Sequence, residues 1–252
     1  MLVRGAWGSV GGPQLLIASD QKPWRGRALD GASVQLRDLA ITVGQGRAGR
    51  HLMIPTTLDI AAGAVTCILG PSGSGKSTLL KVLAALLPPT SGTAIVAGED
   101  VSQLSPREAL RFRRESVGLV YQQYNLFDTL SAEENVALPL ELKGVPRSAA
   151  MSQARERLAM MGLGEVARDR PATLSGGEQQ RVAIARAMVA QTPVLLADEP
   201  TGALDSVAAR QVVDTIVSSA QQGACCVVVT HNDRVAAASD HVLQLRHRTL
   251  EP

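Results

Sequence analysis

The chain has 252 residues, a formal net charge of +2 and an aromatic content of only 2%. A chain of this length can bury a substantial core, as one large domain or two small ones, while its small net charge and scarce rings argue against direct binding of nucleic acid. No apolar run approaches the roughly 18–20 residues that cross a bilayer, so we expect a cytoplasmic protein that reaches a membrane only through a partner.

The first 32 residues show no clear hydrophobic periodicity. They are rich in Gly and Arg and contain both tryptophans, Trp7 and Trp24. We interpret residues 1–32 as a loose N-terminal extension. The alternative is that the true start of the chain lies further downstream.

From Ser33 onward, strand-like and helix-like segments alternate along the chain. The predicted strands are VQLRDLAITV, LMIPTTLDI, AVTCILG, GTAIVAG, SVGLVY, VLLAD, CCVVVT and HVLQL. The predicted helices are KSTLLKVLAALL, SPREALRFRRE, SAEENVALPLEL, SAAMSQARERLAMMG, QQRVAIARAM, SVAARQVVDTIVSSAQQ and DRVAAAS. This alternation predicts an α/β sheet whose two halves are separated by a helical insert. Cys67, Cys225 and Cys226 lie in apolar strands, so we expect buried, reduced thiols.

The stretch GPSGSGKS, from Gly70 to Ser77, follows a buried strand and opens a helix. In that context the pattern G-x-x-x-x-G-K-[ST] is specific for a loop whose backbone N–H groups wrap phosphate oxygens. Lys76 can reach the β- and γ-phosphates of a nucleotide, and the Ser77 hydroxyl can bind Mg²⁺. The predicted phosphate-binding residues are Gly70, Pro71, Ser72, Gly73, Ser74, Gly75, Lys76 and Ser77.

Two carboxylates follow the apolar strand in VLLADEP. Ligands of open α/β sheets bind at the carboxyl ends of the strands, which is where both carboxylates stand. Asp198 fits the role of holding a metal ion. Glu199 fits a general base that polarises water for attack on a γ-phosphate.

The segment TLSGGEQQR, residues 173–181, runs into a predicted helix. Its backbone N–H groups and the positive helix end would face an anion. The phosphate loop already lies about a hundred residues earlier, so the segment needs an anion from another source.

These segments together resemble the ATP-binding subunit of an ABC transporter, over about residues 33–246. The resemblance implies a P-loop NTPase of ABC type. Its fold would be a mixed, largely parallel RecA-like sheet core with an antiparallel β subdomain and an α-helical insert subdomain. It also implies an ATPase coupled to transport that uses ATP and Mg²⁺. Residues 33–252 would form the nucleotide-binding domain, with the insert at about 123–175.

The resemblance implies where the second anion comes from. In the family, two nucleotide domains pack head to tail, and the signature segment closes over the ATP of the partner. Ser175, Gly176 and Gly177 would therefore contact the γ-phosphate held by a second copy. Asp205, in TGALDS, resembles the loop residue that communicates across the dimer.

Three further residues match family positions. Gln122 stands at the end of the predicted strand SVGLVY, directly after Tyr121. It resembles the glutamine that senses Mg²⁺ and the γ-phosphate in the family. His231, after CCVVVT, resembles the switch histidine that contacts the γ-phosphate. Thr78 would add a contact to the α-phosphate.

The insert YNLFDTLSAEENVALPLELKGVP resembles that of the lipoprotein-releasing and macrolide-exporter type of ATPase, and of related cell-division ATPases. The resemblance implies a peripheral protein on the inner face of the membrane, with a permease subunit docked near residues 122–146. It implies coupling of hydrolysis to export, lipoprotein release or mechanotransmission. The alternative is an ABC-type ATPase that regulates a cell-envelope or division process without transport.

The chain departs from the family at three places. Val43 stands where an aromatic residue usually stacks on adenine, so we expect weaker base discrimination, or a ring supplied from elsewhere, with Trp24 as the candidate. Asn232 replaces the usual Asp after the histidine. LRHRTL replaces the usual Asp-Gly turn, so we expect an irregular last hairpin.

Overall fold

The computed structural model describes residues 32–44 and 50–251, so the expected extension and its tryptophans lie outside the described residues. Ten strands and seven α-helices make up this part of the chain. In chain order they are β1 (Ala32–Val43), β2 (Arg50–Ala61), β3 (Val65–Leu69), α1 (Lys76–Leu83), β4 (Ser91–Val96), β5 (Glu99–Asp100), α2 (Pro106–Ser116), β6 (Val117–Val120), α3 (Ala132–Leu142), α4 (Arg147–Met160), α5 (Gly176–Met188), β7 (Val194–Asp198), α6 (Ser206–Gln221), β8 (Cys225–Val229), α7 (Asp233–Ala237), β9 (His241–Arg246) and β10 (Thr249–Glu251).

The strands form two sheets. The smaller is antiparallel, with the order β2-β1-β4-β5. The larger has the order β10-β9-β3-β8-β7-β6, and all of its neighbours run parallel except the terminal hairpin of β9 and β10. The parallel strands of the larger sheet therefore end at one shared edge, which is where ligands bind in folds of this kind.

The two faces of the larger sheet pack against two different hydrophobic cores. Leu195 and Ala197 of β7 pack with the helices α3, α4, α5 and α6. Val194 and Leu196, the alternate residues, pack instead with α1, with α2 and with the antiparallel sheet. Successive side chains of a strand point to opposite faces, so a short run of apolar residues serves both layers.

The helical insert is fixed by a buried amide. Asn135 on α3 is fully buried and accepts from Phe127 N at 2.8 Å, while its Nδ2 donates to the carbonyl oxygens of Phe127, Leu130 and Ser131. Ser131 caps α3 in a reciprocal pair with Glu134. The loop that enters the insert is therefore tied to the helix that follows it.

The fold class expected from the resemblance is confirmed, and most of the predicted elements form. The helix after the phosphate loop is shorter than predicted: α1 ends at Leu83, because Ala85 takes a left-handed φ of 50° and Leu86 N turns back to Lys81 O. The short strand β5 was not predicted. The last hairpin is regular rather than irregular, with a two-residue turn in which His247 and Arg248 both have positive φ, at 49° and 69°.

The three cysteines are buried and unpaired, as expected. Burial raises the pKa of Cys67 to about 11, and those of Cys225 and Cys226 to about 12. These thiols are therefore inert packing groups. Within the described ranges, no helix is both long enough and apolar enough to cross a bilayer.

Candidate nucleotide site

The phosphate loop joins β3 to α1. Gly75, the residue before α1, has a φ of 107°, and no side chain caps the helix. An α-helix leaves its first N–H groups without internal partners, so the start of α1 offers free donors to an anion. A Cβ on Gly75 would lie 2.9 Å from Leu52 Cβ, so the close approach to β2 also requires glycine.

Lys76 is held over this loop. Its side chain is largely buried, and Nζ donates to Gly70 O at 2.7 Å and to Pro71 O at 3.0 Å. Ser74 Oγ is buried beside it and has no hydrogen-bond partner. A buried hydroxyl without a partner is costly, and a buried ammonium is stabilised by an anion, so this cradle fits a polyphosphate.

Asp198, the last residue of β7, faces the start of α1. Ser77 hydrogen-bonds to its carboxylate, which tends to lower the pKa, but burial outweighs this and raises the pKa of Asp198 above its usual range. A carboxylate and a hydroxyl are hard oxygen ligands of the kind that Mg²⁺ prefers. The described residues contain no group of three or more His, Cys, Asp or Glu that could hold a metal ion.

Glu199 follows directly and is held from three sides. Its backbone takes a left-handed φ of 48°, and its N–H donates to Val229 O at 2.9 Å. Thr230 Oγ1 donates to Oε2 at 2.8 Å, and His231 Nδ1 lies 2.7 Å from Oε1. Positive φ is rare for a residue with a side chain, and such strain is concentrated at functional sites. The carboxylate is largely buried while the His231 side chain is 78% exposed, so the pair bridges the core and the open surface.

Gln122 and Asn232 also lie near this edge of the larger sheet, but neither is hydrogen-bonded to Glu199. Gln122 is exposed and lies two residues beyond the end of β6, not at the end of the strand as predicted, because pairing with β7 stops at Val120. Asn232 caps α7 by accepting from Arg234 N at 3.0 Å, and its amide donates to Thr201 Oγ1 at 3.3 Å. An aspartate could accept in the cap but could not donate to Thr201 when ionised.

The signature segment forms the start of α5. Ser175 is the N-cap: its Oγ accepts from Glu178 N and donates to Glu178 Oε2 at 2.7 Å, and Glu178 accepts from Ser175 N in return. These hydrogen bonds lower the pKa of Glu178. Gly176 lies under Tyr124, since a Cβ there would be 3.3 Å from the phenol oxygen. Gly177 lies beside Ala203, since a Cβ on Gly177 would be 3.6 Å from Ala203 O.

Asp205 belongs to a local cap as well. Its carboxylate accepts from the N–H groups of Val207 and Ala208 at 2.8 and 2.9 Å, at the start of α6. These two bonds lower the pKa of Asp205. Ser175 and Asp205 contact neither the phosphate loop nor Glu199 through any hydrogen bond of the described chain, and both lie at helix starts on the surface.

A second surface feature, which we name the insert groove, lies at the other end of α5. It encloses about 450 Å³. Its rim carries three exposed apolar side chains: Leu110 is 63% exposed, Phe127 52% and Leu142 60%. Arg186 forms part of its wall and donates to Tyr124 O at 2.8 Å and to Asn125 O at 2.6 Å. The groove extends beyond the predicted segment 122–146 to α2, β6 and α5.

Sequence reasoning missed three contributors to these sites. The sequence pattern places Thr230 only at the end of a strand, whereas in the structure its hydroxyl donates to Glu199. Tyr124 and Arg186 link the segment after β6 to α5. Their partners lie up to 62 residues away in sequence, so no local pattern marks them.

Comparison with known proteins identifies the family and the fold. The family model for the ABC transporter matches residues 54–202. Among solved structures, the ATP-binding cassette MJ0796, in a dimeric post-hydrolysis state bound to ADP and Pi, is 36% identical with a TM-score of 0.81. The superposition covers 87% of this chain and 97% of that one. A second dimeric structure of that cassette gives a TM-score of 0.82 at the same identity and coverage.

Curated relatives point to the same sub-family that the insert resembles. Macrolide export ATP-binding/permease proteins MacB from Brucella melitensis, Hyphomonas neptunium and Escherichia coli K12 are 42%, 39% and 40% identical over 213 residues. Each match covers 84% of this chain, which spans about a third (33%) of the relatives' length. The family model covers more than half of the chain, and we conclude that this protein belongs to the ABC transporter family and is an ATP-binding cassette with the P-loop NTPase fold.

Proposed function

We propose that this chain is the ATP-binding and ATP-hydrolysing subunit of an ABC transporter complex. In this proposal hydrolysis in a head-to-tail dimer drives movement of a membrane partner, for export, lipoprotein release or mechanotransmission. The observation that carries the proposal is Glu199, buried and held by Thr230 and His231 at the strand edge where Lys76 and Asp198 also stand. We divide the chain into a nucleotide-binding domain at 33–252 and a preceding extension, with the insert at about 123–175.

The phosphate loop would hold the nucleotide. Residues Gly70–Thr78, except Pro71, would supply backbone N–H groups, and Lys76 would exchange its two carbonyl acceptors for β- and γ-phosphate oxygens. Ser77, Asp198 and Gln122 would hold Mg²⁺, which when bound neutralises charge on the β- and γ-phosphates. Asp198 is suited to this because burial already disfavours its uncompensated charge.

Glu199 would act as the general base. In-line attack on the γ-phosphate requires a water molecule oriented and polarised by an acceptor, and a carboxylate at this edge can take its proton. His231, which is mostly exposed, would contact the γ-phosphate from the open side while holding Glu199. Thr230 fixes the other oxygen of the carboxylate, so the base has one orientation.

The second half of each site would come from the partner copy. Ser175, Gly176 and Gly177 present a helix start to the surface, and no phosphate-holding residue of the same chain bonds to them. Packing two copies head to tail would place this helix start over the γ-phosphate of the other copy. Asp205, whose carboxylate is committed to capping α6, would shape the loop that faces the partner.

The insert groove would dock the membrane permease. Its exposed apolar rim is suited to burying an amphipathic helix of the partner. Its wall residues Arg113 and Arg186 donate to backbone carbonyls and keep their positive charge, which favours a partner helix with acidic residues. The curated relatives are named as combined ATP-binding and permease proteins, which supports a membrane partner of this kind. This chain would then sit peripherally on the inner face of the membrane.

Phosphate release from Mg²⁺-ATP by the purified chain tests the proposal. We expect slow turnover by a largely monomeric protein, and no turnover by Lys76→Ala. The matched control is Lys81→Ala, which removes an exposed lysine one turn further along α1. Turnover in Lys76→Ala at the rate of the unaltered chain would overturn the proposal, as would nucleotide binding that is unaffected by that change.

A further inference from the structure

A groove beside the phosphate loop is lined by cations. It encloses about 390 Å³ between the start of β2, the phosphate loop and the last hairpin. Its lining residues are Arg50, His51, Leu52, Pro71, Ser74, Leu245, Arg246, His247 and Arg248. No Asp or Glu is among these described lining residues, so the groove presents a positive field next to the place where phosphates would bind.

The walls of this groove touch the phosphate loop directly. A Cβ on Gly70 would lie 2.9 Å from Leu245 O, and one on Gly75 would lie 2.9 Å from Leu52 Cβ. There is no intervening layer between the loop and the groove. A nucleotide whose phosphates lie on the loop therefore has its sugar and base within reach of the groove walls.

Arg50 bridges the groove and the loop. Its Nη2 donates to Gly73 O at 3.3 Å, and the residue is exposed. A guanidinium bonded along one edge keeps its flat face free. Such a face stacks on aromatic rings, including nucleobases.

The pairing of β1 with β2 places Arg50 opposite Val43. Residues directly opposite in an antiparallel pair project from the same face, with Cβ atoms about 5 Å apart. Val43 is 50% exposed and carries no ring. At this cross-strand pair the flat group is therefore the guanidinium of Arg50, with no ring beside it at Val43.

From this geometry we infer that Arg50 is the platform on which the base of the bound nucleotide stacks. The inference rests on the proposed function, because it needs the triphosphate to lie on Gly70–Thr78. Stacking on a guanidinium uses the π-face, which all bases have, and it reads no hydrogen-bonding edge. The site should therefore hold ATP and GTP with similar affinity.

Equilibrium titrations of the full-length chain with ATP, GTP and inorganic pyrophosphate test the inference. Pyrophosphate carries the charge without the base. Arg50→Ala should weaken ATP and GTP alike by about tenfold to a hundredfold, and pyrophosphate by less than about twofold. Adding Val43→Tyr to Arg50→Ala should restore ATP binding, because a ring then stands on the same face.

Arg37→Ala is the matched control. It removes an exposed cation from β1, one that pairs with Asp59 rather than with the phosphate loop, and it should leave all three affinities unchanged. Equal losses of pyrophosphate and ATP in Arg50→Ala would overturn the inference, because they would make Arg50 a simple charge. An unchanged ATP affinity in Arg50→Ala, together with a loss in Trp24→Ala, would overturn it in favour of a ring from the extension.

The inference and the proposed function fail in different ways. If the unaltered chain binds pyrophosphate and ATP through Lys76 but Arg50→Ala changes neither, only the role of Arg50 is wrong. If the unaltered chain binds neither ligand, the proposed function is overturned and the inference falls with it.

Discussion

The starts of α1 and α5 are both helix ends suited to anions, but they satisfy their polar groups in opposite ways. At α1 a glycine precedes the helix without any side-chain cap, Ser74 Oγ has no partner, and burial raises the pKa of Asp198. At α5, Ser175 caps the helix in a reciprocal pair with Glu178, and the same hydrogen bonds lower the pKa of the Glu178 carboxylate.

The difference teaches that a helix start alone does not define a binding site. The α1 side has an unsatisfied hydroxyl and uncapped N–H groups that a ligand can complete, so under the proposed function it is the half-site that would bind nucleotide in the monomer. The α5 side is already stable as a surface, and its Ser175 hydroxyl is committed to Glu178. In the proposed dimer it would act on a phosphate only when the partner brings one close enough to compete with that bond.

The largest expected effect comes from the α1 side. Glu199→Gln should reduce phosphate release by about 10²–10⁴-fold, because the amide cannot act as a base, while ATP still binds. With hydrolysis blocked, ATP should hold two copies together. Steady-state phosphate release, ATP titration and size-exclusion chromatography with light scattering measure these three properties.

Glu165→Gln is the control for Glu199→Gln, since it neutralises an exposed carboxylate away from the strand edge. It should behave like the unaltered chain in all three measurements. Normal turnover in Glu199→Gln would remove Glu199 from the role of base.

The next effect tests the α5 side. Ser175→Arg should abolish steady-state hydrolysis, because the long cation blocks the approach of two copies, and should leave ATP binding to the dilute monomer unchanged. Mixing Ser175→Arg with Lys76→Ala subunits gives heterodimers in which one site carries both changes and the other carries neither. Hydrolysis that neither variant shows alone should then return in the mixture.

Weaker ATP binding by the dilute Ser175→Arg monomer would contradict this prediction. It would place Ser175 in the nucleotide site of its own chain. The absence of any activity in the mixture would show that one intact site cannot turn over.

The smallest expected effect is a loss of stability, which we compare at the matched helix caps Ser105 and Ser175. Ser105 caps α2 with Glu108 in the same reciprocal arrangement that Ser175 makes with Glu178. Ser105→Ala and Ser175→Ala should each lower the free energy of unfolding by about 1 kcal/mol, measured by urea titration. Only Ser175→Ala should also lower hydrolysis, and equal loss of hydrolysis in both would show that the Ser175 effect is merely structural.

The sequence predicted most elements because their patterns are local. The phosphate loop, the strand before Asp198 and the helices α2 and α3 each follow from residues adjacent in the chain. The end of α1 could not be predicted, because the left-handed turn at Ala85 comes from a non-glycine residue. The regular turn at His247 and Arg248 was missed for the same reason, since type I′ turns normally call for Asn or Gly.

The motifs of the candidate site could be predicted from the sequence, but the residues that hydrogen-bond to those motifs could not. Lys76, Asp198, Glu199 and Ser175 stand in short patterns that carry their chemistry. Thr230 and Arg50 do not, because their contacts to Glu199 and Gly73 join residues 31 and 23 positions apart. Such contacts arise from strand order and hairpin register, which single motifs do not encode.

Helix α5 connects the two surfaces that a transport cycle would have to coordinate. Ser175 caps its first residue, while Arg186 in its last turn clamps the backbone of Tyr124 and Asn125 at the wall of the insert groove. A helix of 13 residues is about 20 Å long and bends little over that length. Under the proposed function it would act as a rigid lever: a tilt of about 5° imposed at Arg186 would shift the Ser175 end by about 1.5 Å, enough to make or break a hydrogen bond. Movement of the permease at the groove and closure of Ser175 over the phosphate would then be coupled through this one helix.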